Sequence, residues 1–156
     1  MPNWVAGTFK IRGTQKNIIS CLNDLFVNDD CTVEPLREGS DLLVIKGNPK
    51  IRGYHMNGIR GAMIDYGGDY LVDVDDCDTE GEIIVELDKF RQAWVINADD
   101  FKEVSLKNNV DFKIYGYEAG NKFEQEVEII KGEVTENNNY GYENYDWECP
   151  FSKLGG

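Results

Sequence analysis

Apolar residues recur at every second position in three separate stretches, and this period constrains the fold more than any other feature. Val5, Gly7, Phe9 and Ile11 alternate with Ala6, Thr8, Lys10 and Arg12. Val110, Phe112 and Ile114 alternate further on, and Phe123, Gln125, Val127 and Ile129 follow with Glu124, Glu126 and Glu128 between them. A period of two belongs to strands with one buried and one solvated face. Such strands pair into an antiparallel sheet that is covered on one side.

Helical spacing appears between these strands. Ile18, Cys21, Leu22, Leu25 and Phe26 define an amphipathic helix over 15–27, with Thr14 as its N-cap. Residues 41–46 read as a short buried strand ended by Gly47-Asn48-Pro49. Residues 59–66 and 69–75 read as a hairpin around Gly67-Gly68. Residues 82–87 and 92–96 read as two strands. Asn97 is expected to cap a second helix over 98–108, which buries Phe101 and Val104 and carries Asp99 and Asp100 in its first turn. Lys131-Gly132 turns the chain, and Glu133-Val134 resumes pairing. Residues 136–145 read as a loop, and 145–156 as a tail that docks through Tyr145, Trp147 and Phe151. The order strand–helix–strands–helix–strands predicts an α+β fold, with two helices on one face of an antiparallel sheet. A chain of 156 residues is long enough for one domain, spanning 1–156, with a real core.

Charge is distributed unevenly. Residues 1–61 hold eight basic and six acidic residues, net +2; residues 62–156 hold eight basic and 23 acidic residues, net −15. A surface this acidic repels nucleic acid, whose binding rests on Lys and Arg neutralising phosphates. It suits a basic protein groove, or serves solubility alone. The chain lacks a run of about 18 apolar residues, so no membrane span is expected. The opening MPNWVAGTFKIRG lacks the basic-then-apolar layout of a secretory signal, so a cytoplasmic location is expected. Cys21, Cys31, Cys77 and Cys149 show no C-x-x-C spacing and read as reduced thiols.

Residues 73–87, DVDDCDTEGEIIVEL, hold four Asp and three Glu without one Lys or Arg. Counted from Asp76 as a calcium loop, Asp78, Glu80 and Gly81 fall in register, but the twelfth position is Leu87, which offers no oxygen. The flanking segments read as strands, whereas such a loop joins two helices. An acidic surface is the better reading: Asp73, Asp75, Asp76, Asp78, Glu80 and Glu82 form its first cluster. Glu124, Glu126 and Glu128 form the second, since residues two apart on a strand share a face. Lys113 is the candidate to answer that stripe from a neighbouring strand; a solvated, charge-guarded edge is the plainer alternative.

Signs of catalysis are sparse. His55 is the one histidine, and it lies in GYHMNG beside a turn. The serines occupy no nucleophile-elbow setting, and no phosphate-cradling glycine motif is present. No catalytic residue, metal site or cofactor is therefore expected.

Two stretches resemble a known family. The opening MPNW with its strand, Gly13 and helix, and the run from Ala93-Trp94 through 99–107 to FKIYGYEAGNKFEQEVEIIKGEV, are similar to the YubB-like, ferredoxin-like family of small phage and plasmid proteins. Val5 stands where that family often carries Cys, and residues 47–90 follow no pattern of the family. The resemblance implies a ferredoxin-like sheet with 47–90 as an inserted hairpin region. It also implies a phage or mobile-element origin in a Gram-positive host, and brings no assigned catalytic residues.

The leading expectation is a non-enzymatic phage protein that binds and inhibits a host protein with a basic groove, such as a CRISPR effector or another defence nuclease. Its acidic surface would stand in for nucleic acid. A second expectation is a small-ligand binder that sequesters a nucleotide through Arg52, Arg60 and nearby glycine backbone. A third is a metal-dependent enzyme that uses the acidic loop.

Overall fold

The computed structural model describes residues 2–77 and 81–141. Strand β1 (Trp4–Thr14) leads into helix α1 (Gln15–Phe26). As the spacing predicts, Thr14 caps the helix: its Oγ1 accepts from the Asn17 N–H at 3.2 Å. Ile18, Cys21, Leu22, Leu25 and Phe26 form the buried stripe. Then come β2 (Cys31–Pro35), β3 (Leu42–Gly47), β4 (Tyr54–His55), β5 (Ala62–Ile64), β6 (Tyr70–Asp73) and β7 (Glu82–Ala93). A 3₁₀ turn (Ala98–Phe101) opens into α2 (Lys102–Asn108), and β8 (Asp111–Glu118), β9 (Phe123–Ile130) and β10 (Glu133–Gly141) complete the described chain.

These strands form two antiparallel sheets: seven strands in the order β10-β9-β8-β1-β7-β5-β4, and three in the order β2-β3-β6. Half of the described residues are in strands and 17 % in helices, so the protein is mostly β. The expected ferredoxin-like α+β sheet, with two helices on one face and an inserted hairpin, is therefore wrong. The sheet grows beyond four strands because β9 and β10 continue by tight turns at one side, while β5 and β4 extend it at the other. Within the span between α1 and β7, β2, β3 and β6 build a second sheet while β4 and β5 join the first. α2 itself is only seven residues long.

The hairpin expected around Gly67-Gly68 is replaced by a change of sheet. β5 pairs with β7 (Met63↔Arg91, Ile64↔Phe90), whereas β6 pairs with β3 (Ile45↔Tyr70, Leu43↔Val72). The two strands expected over 82–96 are one strand, β7, which passes through Lys89 at φ 63°. Residues 136–141 are not a loop: β10 runs to Gly141 and pairs Glu136 with Glu128, Asn138 with Glu126 and Tyr140 with Glu124. The remainder of the expected loop and tail, with Tyr145, Trp147 and Phe151, lies outside the described residues. Asn97 makes no side-chain cap; its Nδ2 instead donates to Asp100 Oδ2 at 3.0 Å.

Phe9 is the centre of the core. Its ring lies 5.6 Å from Phe90, 5.5 Å from Phe101 and 4.9 Å from Phe112, which joins β1, β7, the 3₁₀ turn and β8. β1 and β8 approach so closely that a Cβ at Gly7 would overlap the Tyr115 carbonyl oxygen. Gln125 is also buried on the inner side. Its Nε2 donates to the Ile96 carbonyl (2.9 Å) and its Oε1 accepts the Ile96 N–H (2.9 Å), so no polar atom is stranded there. Burial pushes the Cys21 thiol upward, as its position on the inner stripe of α1 requires.

Candidate functional site

The outer face of the seven-stranded sheet carries the charge pattern. In β9, Glu124, Glu126 and Glu128 alternate with the buried Gln125, Val127 and Ile129. Cross-strand register sets what faces each one. Lys113 lies opposite Glu128, Tyr115 opposite Glu126 and Tyr117 opposite Glu124. The Tyr115 hydroxyl donates to Glu124 Oε2 at 2.7 Å, and the Thr135 hydroxyl donates to Glu128 Oε1 at 2.7 Å. Lys113 Nζ lies 2.7 Å from Glu136 and 3.9 Å from Glu128, and the hydrogen bond to Glu136 leads the causes that raise its pKa. All three glutamates are half-buried.

The end of the sheet near β7's start is more tightly matched. Asp111 is buried and accepts from Arg12 Nε at 2.9 Å, with Arg12 Nη2 at 2.8 Å. Lys131 Nζ lies 3.5 Å from Asp111 and 3.6 Å from Glu82. Arg12 is held well above its ordinary range, first by its hydrogen bond and charge interaction with Asp111, then by Glu82 and Glu128. Glu82 and Glu128, one from each predicted cluster, therefore converge on the same guanidinium. Glu86 lies 3.8 Å from Lys10.

The acidic loop itself joins β6 to β7 across the two sheets. Asp73 Oδ1 accepts the Asp75 N–H at 3.0 Å, and Asp75 Oδ1 accepts the Cys77 N–H at 2.8 Å. These are successive Asx turns, in which the carboxylates fold the loop's own backbone. Asp73 and Asp75 are exposed and Asp76 is half-buried. Asp78 and Glu80 lie outside the described residues. Strands flank the loop on both sides. Among the described residues, no group of three or more His, Cys, Asp or Glu is placed to hold a metal ion.

Of the residues expected to hold a nucleotide, Arg52 donates from Nε to Asp65 Oδ1 (3.1 Å) and from Nη2 to Asp65 Oδ2 (3.2 Å). Arg91 Nε reaches the same Asp65 Oδ2 at 3.2 Å. Arg60 is exposed and lines no part of the cavity at Arg52. Sequence reasoning missed Trp4, His55, Met63 and Arg91 around that cavity, because strand pairing across distant segments brings them together.

No family model, curated protein or solved structure matches the chain. The likeness to the YubB-like family accordingly rests on the short motifs quoted above. Among the described residues, no helix is long and apolar enough to cross a membrane.

Proposed function

We propose that this chain is a non-enzymatic binding protein whose acidic surface engages a basic groove on another protein. The observation that carries the reading is the state of Asp73 and Asp75. Among the described residues, their carboxylates bond to backbone N–H groups of their own loop, while Glu82, Glu86, Asp111 and Glu128 are each matched by Lys or Arg. The loop after β6 is thus the primary contact, and the Glu124/Glu126/Glu128 stripe a secondary one. A nucleic-acid groove fits this chemistry, since it is already built to meet closely spaced anions. The resemblance to phage proteins supports a host defence nuclease, CRISPR effectors included, as the class of partner.

The test is interferometry of the immobilised chain against a panel of nucleic-acid-binding defence nucleases at about 0.05 and 0.3 M salt. Wild type should bind one of them with an affinity that falls with salt, and Asp73→Lys/Asp75→Lys should abolish the signal. Binding that survives this double reversal unchanged removes the loop from the interface.

A further inference from the structure

A cleft in this acidic chain sets two guanidinium groups, Arg52 and Arg91, around one carboxylate, Asp65. On the outer face of the large sheet, strand register aligns His55 with Met63, Met63 with Arg91, Arg91 with Ala6, and Ala6 with Tyr117. One row of side chains therefore crosses from β4 to β8. Ala6 is the smallest member, and the surface dips around it. A cavity of about 460 Å³ opens there, between Thr8, Asp88, Lys89, Arg91 and Tyr117. It shares Asp65 and Arg91 with a second cavity of about 250 Å³ walled by Trp4, Arg52, His55 and Met63. The first lies within the size range of small-molecule sites, and the second continues it.

The charge in this cleft is fixed in place. The Asp65 side chain, only 14 % exposed, orients both Arg52 and Arg91. Arg52, Arg91 and Lys89 against Asp65 and Asp88 leave one positive charge, and Arg52 stands at the mouth with its side chain 80 % exposed. Asp65 takes two of the five N–H donors of Arg52 and leaves three for another partner. Such preset donors bind a pair of phosphate or carboxylate oxygens with little further loss of side-chain freedom. Asp65 is itself held from both directions: its own N–H donates to the Lys89 carbonyl at 2.9 Å, at the irregular point of β7 where Lys89 adopts φ 63°. Trp4 adds an indole wall and Met63 an apolar floor, the surfaces on which a flat ring rests.

We infer that this cleft binds a small anion carrying a planar ring, with the anionic oxygens on Arg52 and Arg91 and the ring against Trp4. A long polyanion is disfavoured at the same place, because it would extend over Glu86 and Glu124 on the same face. The site uses none of the carboxylates assigned to protein binding above, so either proposal stands or falls without the other.

The test is calorimetry of the full chain with AMP, GMP and cyclic AMP, alongside adenosine and inorganic phosphate. At least one nucleotide should bind saturably and at least about tenfold more tightly than either fragment. Arg52→Gln and Trp4→Ala should each weaken that binding about tenfold or more. Arg37→Gln and Asp73→Lys/Asp75→Lys should leave it unchanged. Arg52 is so exposed that its loss should leave the melting temperature near that of wild type, which separates a binding defect from a folding defect. If Trp4→Ala unfolds the chain, Trp4→Phe replaces it and should retain most of the affinity. No binding by any nucleotide at about 1 mM overturns the inference. So does binding indifferent to Arg52→Gln, or phosphate binding as tightly as the nucleotides.

Discussion

Replacing Asp111 tests the charge ledger of the sheet directly. Its side chain is 7 % exposed, accepts a hydrogen bond from Arg12 Nε at 2.9 Å and forms an ion pair with Arg12 Nη2 at 2.8 Å. Its Oδ1 also accepts the backbone N–H of Lys131 at 3.2 Å, which pins the β9–β10 turn to the start of β8. Arg12 is 47 % exposed and regains water when the pair is broken, which pulls the value of the bond toward that of a surface pair, about 0–1 kcal/mol. The buried carboxylate and the stranded Lys131 N–H pull it the other way, toward about 3 kcal/mol. Asp111→Ala should therefore cost about 2 kcal/mol in urea unfolding, or roughly 4–8 °C in Tm for a chain of this length. Asp111→Asn, which keeps acceptors without the charge, should recover about half. A double-mutant cycle with Arg12→Ala should show a coupling of about 1–2 kcal/mol that shrinks in about 1 M NaCl. A loss under about 0.5 kcal/mol for Asp111→Ala, or a coupling indifferent to salt, refutes the reasoning.

Three further outcomes follow from the packing. Phe9→Ala, which empties the contact point of Phe90, Phe101 and Phe112, should cost about 3–5 kcal/mol by denaturant unfolding, whereas Lys10→Ala on the opposite face should stay within about 0.5 kcal/mol. Gly7→Ala should cost about 3 kcal/mol because its methyl meets the Tyr115 carbonyl; Gly39→Ala, with open space but φ 75°, should cost only about 1 kcal/mol, and equal losses in thermal melts would contradict this contrast. Asp24 is held below its ordinary range, first by the hydrogen bond from Asn108 Nδ2 (2.9 Å) and further by Lys107. A depressed folded pKa gives stability that is present above about pH 4 and lost as pH falls through the folded value, so the gap between wild type and Asp24→Asn should be flat above about pH 5 and close below about pH 4.

Strands with one buried face were legible in the sequence; strands defined by their partners were not. β1, α1 and β9 announced themselves because Phe9, Leu22 and Val127 sit in unbroken periods. β10 gave no such signal: Asn137, Asn138 and Asn139 are exposed on an edge strand, and a strand with no buried face has no alternation to read. Gly67-Gly68 is equally good chemistry for a hairpin and for a change of sheet. The choice is made by β3 and β7, which lie elsewhere in the chain and take β6 and β5 apart. The irregularity at Lys89 left no trace because a non-glycine residue occupies a glycine-like conformation. The same logic divides the sites. The spacing of Glu124, Glu126 and Glu128 placed them on one face, but nothing local told that Tyr115 and Thr135 would bond to two of them. Arg52, Asp65 and Arg91 meet only because β5 lies against β7.

The two proposed binding regions lie toward opposite ends of one strand, and this determines how they would interact. Glu82 opens β7 beside the acidic loop, and Arg91 lines the cleft near its other end. Nine residues of strand separate Glu82 from Arg91, roughly 30 Å. The Debye length at physiological salt is about 8 Å, so Glu82 neither weakens the Arg52–Arg91 pair nor is neutralised by it. Between them, Lys10, Arg12 and Lys113 on β1 and β8 are matched by Glu86, Asp111, Glu128 and Glu136. That ion-paired middle lies between the two fields. Were both proposals to hold, the opposite signs at the two ends would also sort the partners: a basic protein surface toward the loop, a small anion toward the cleft.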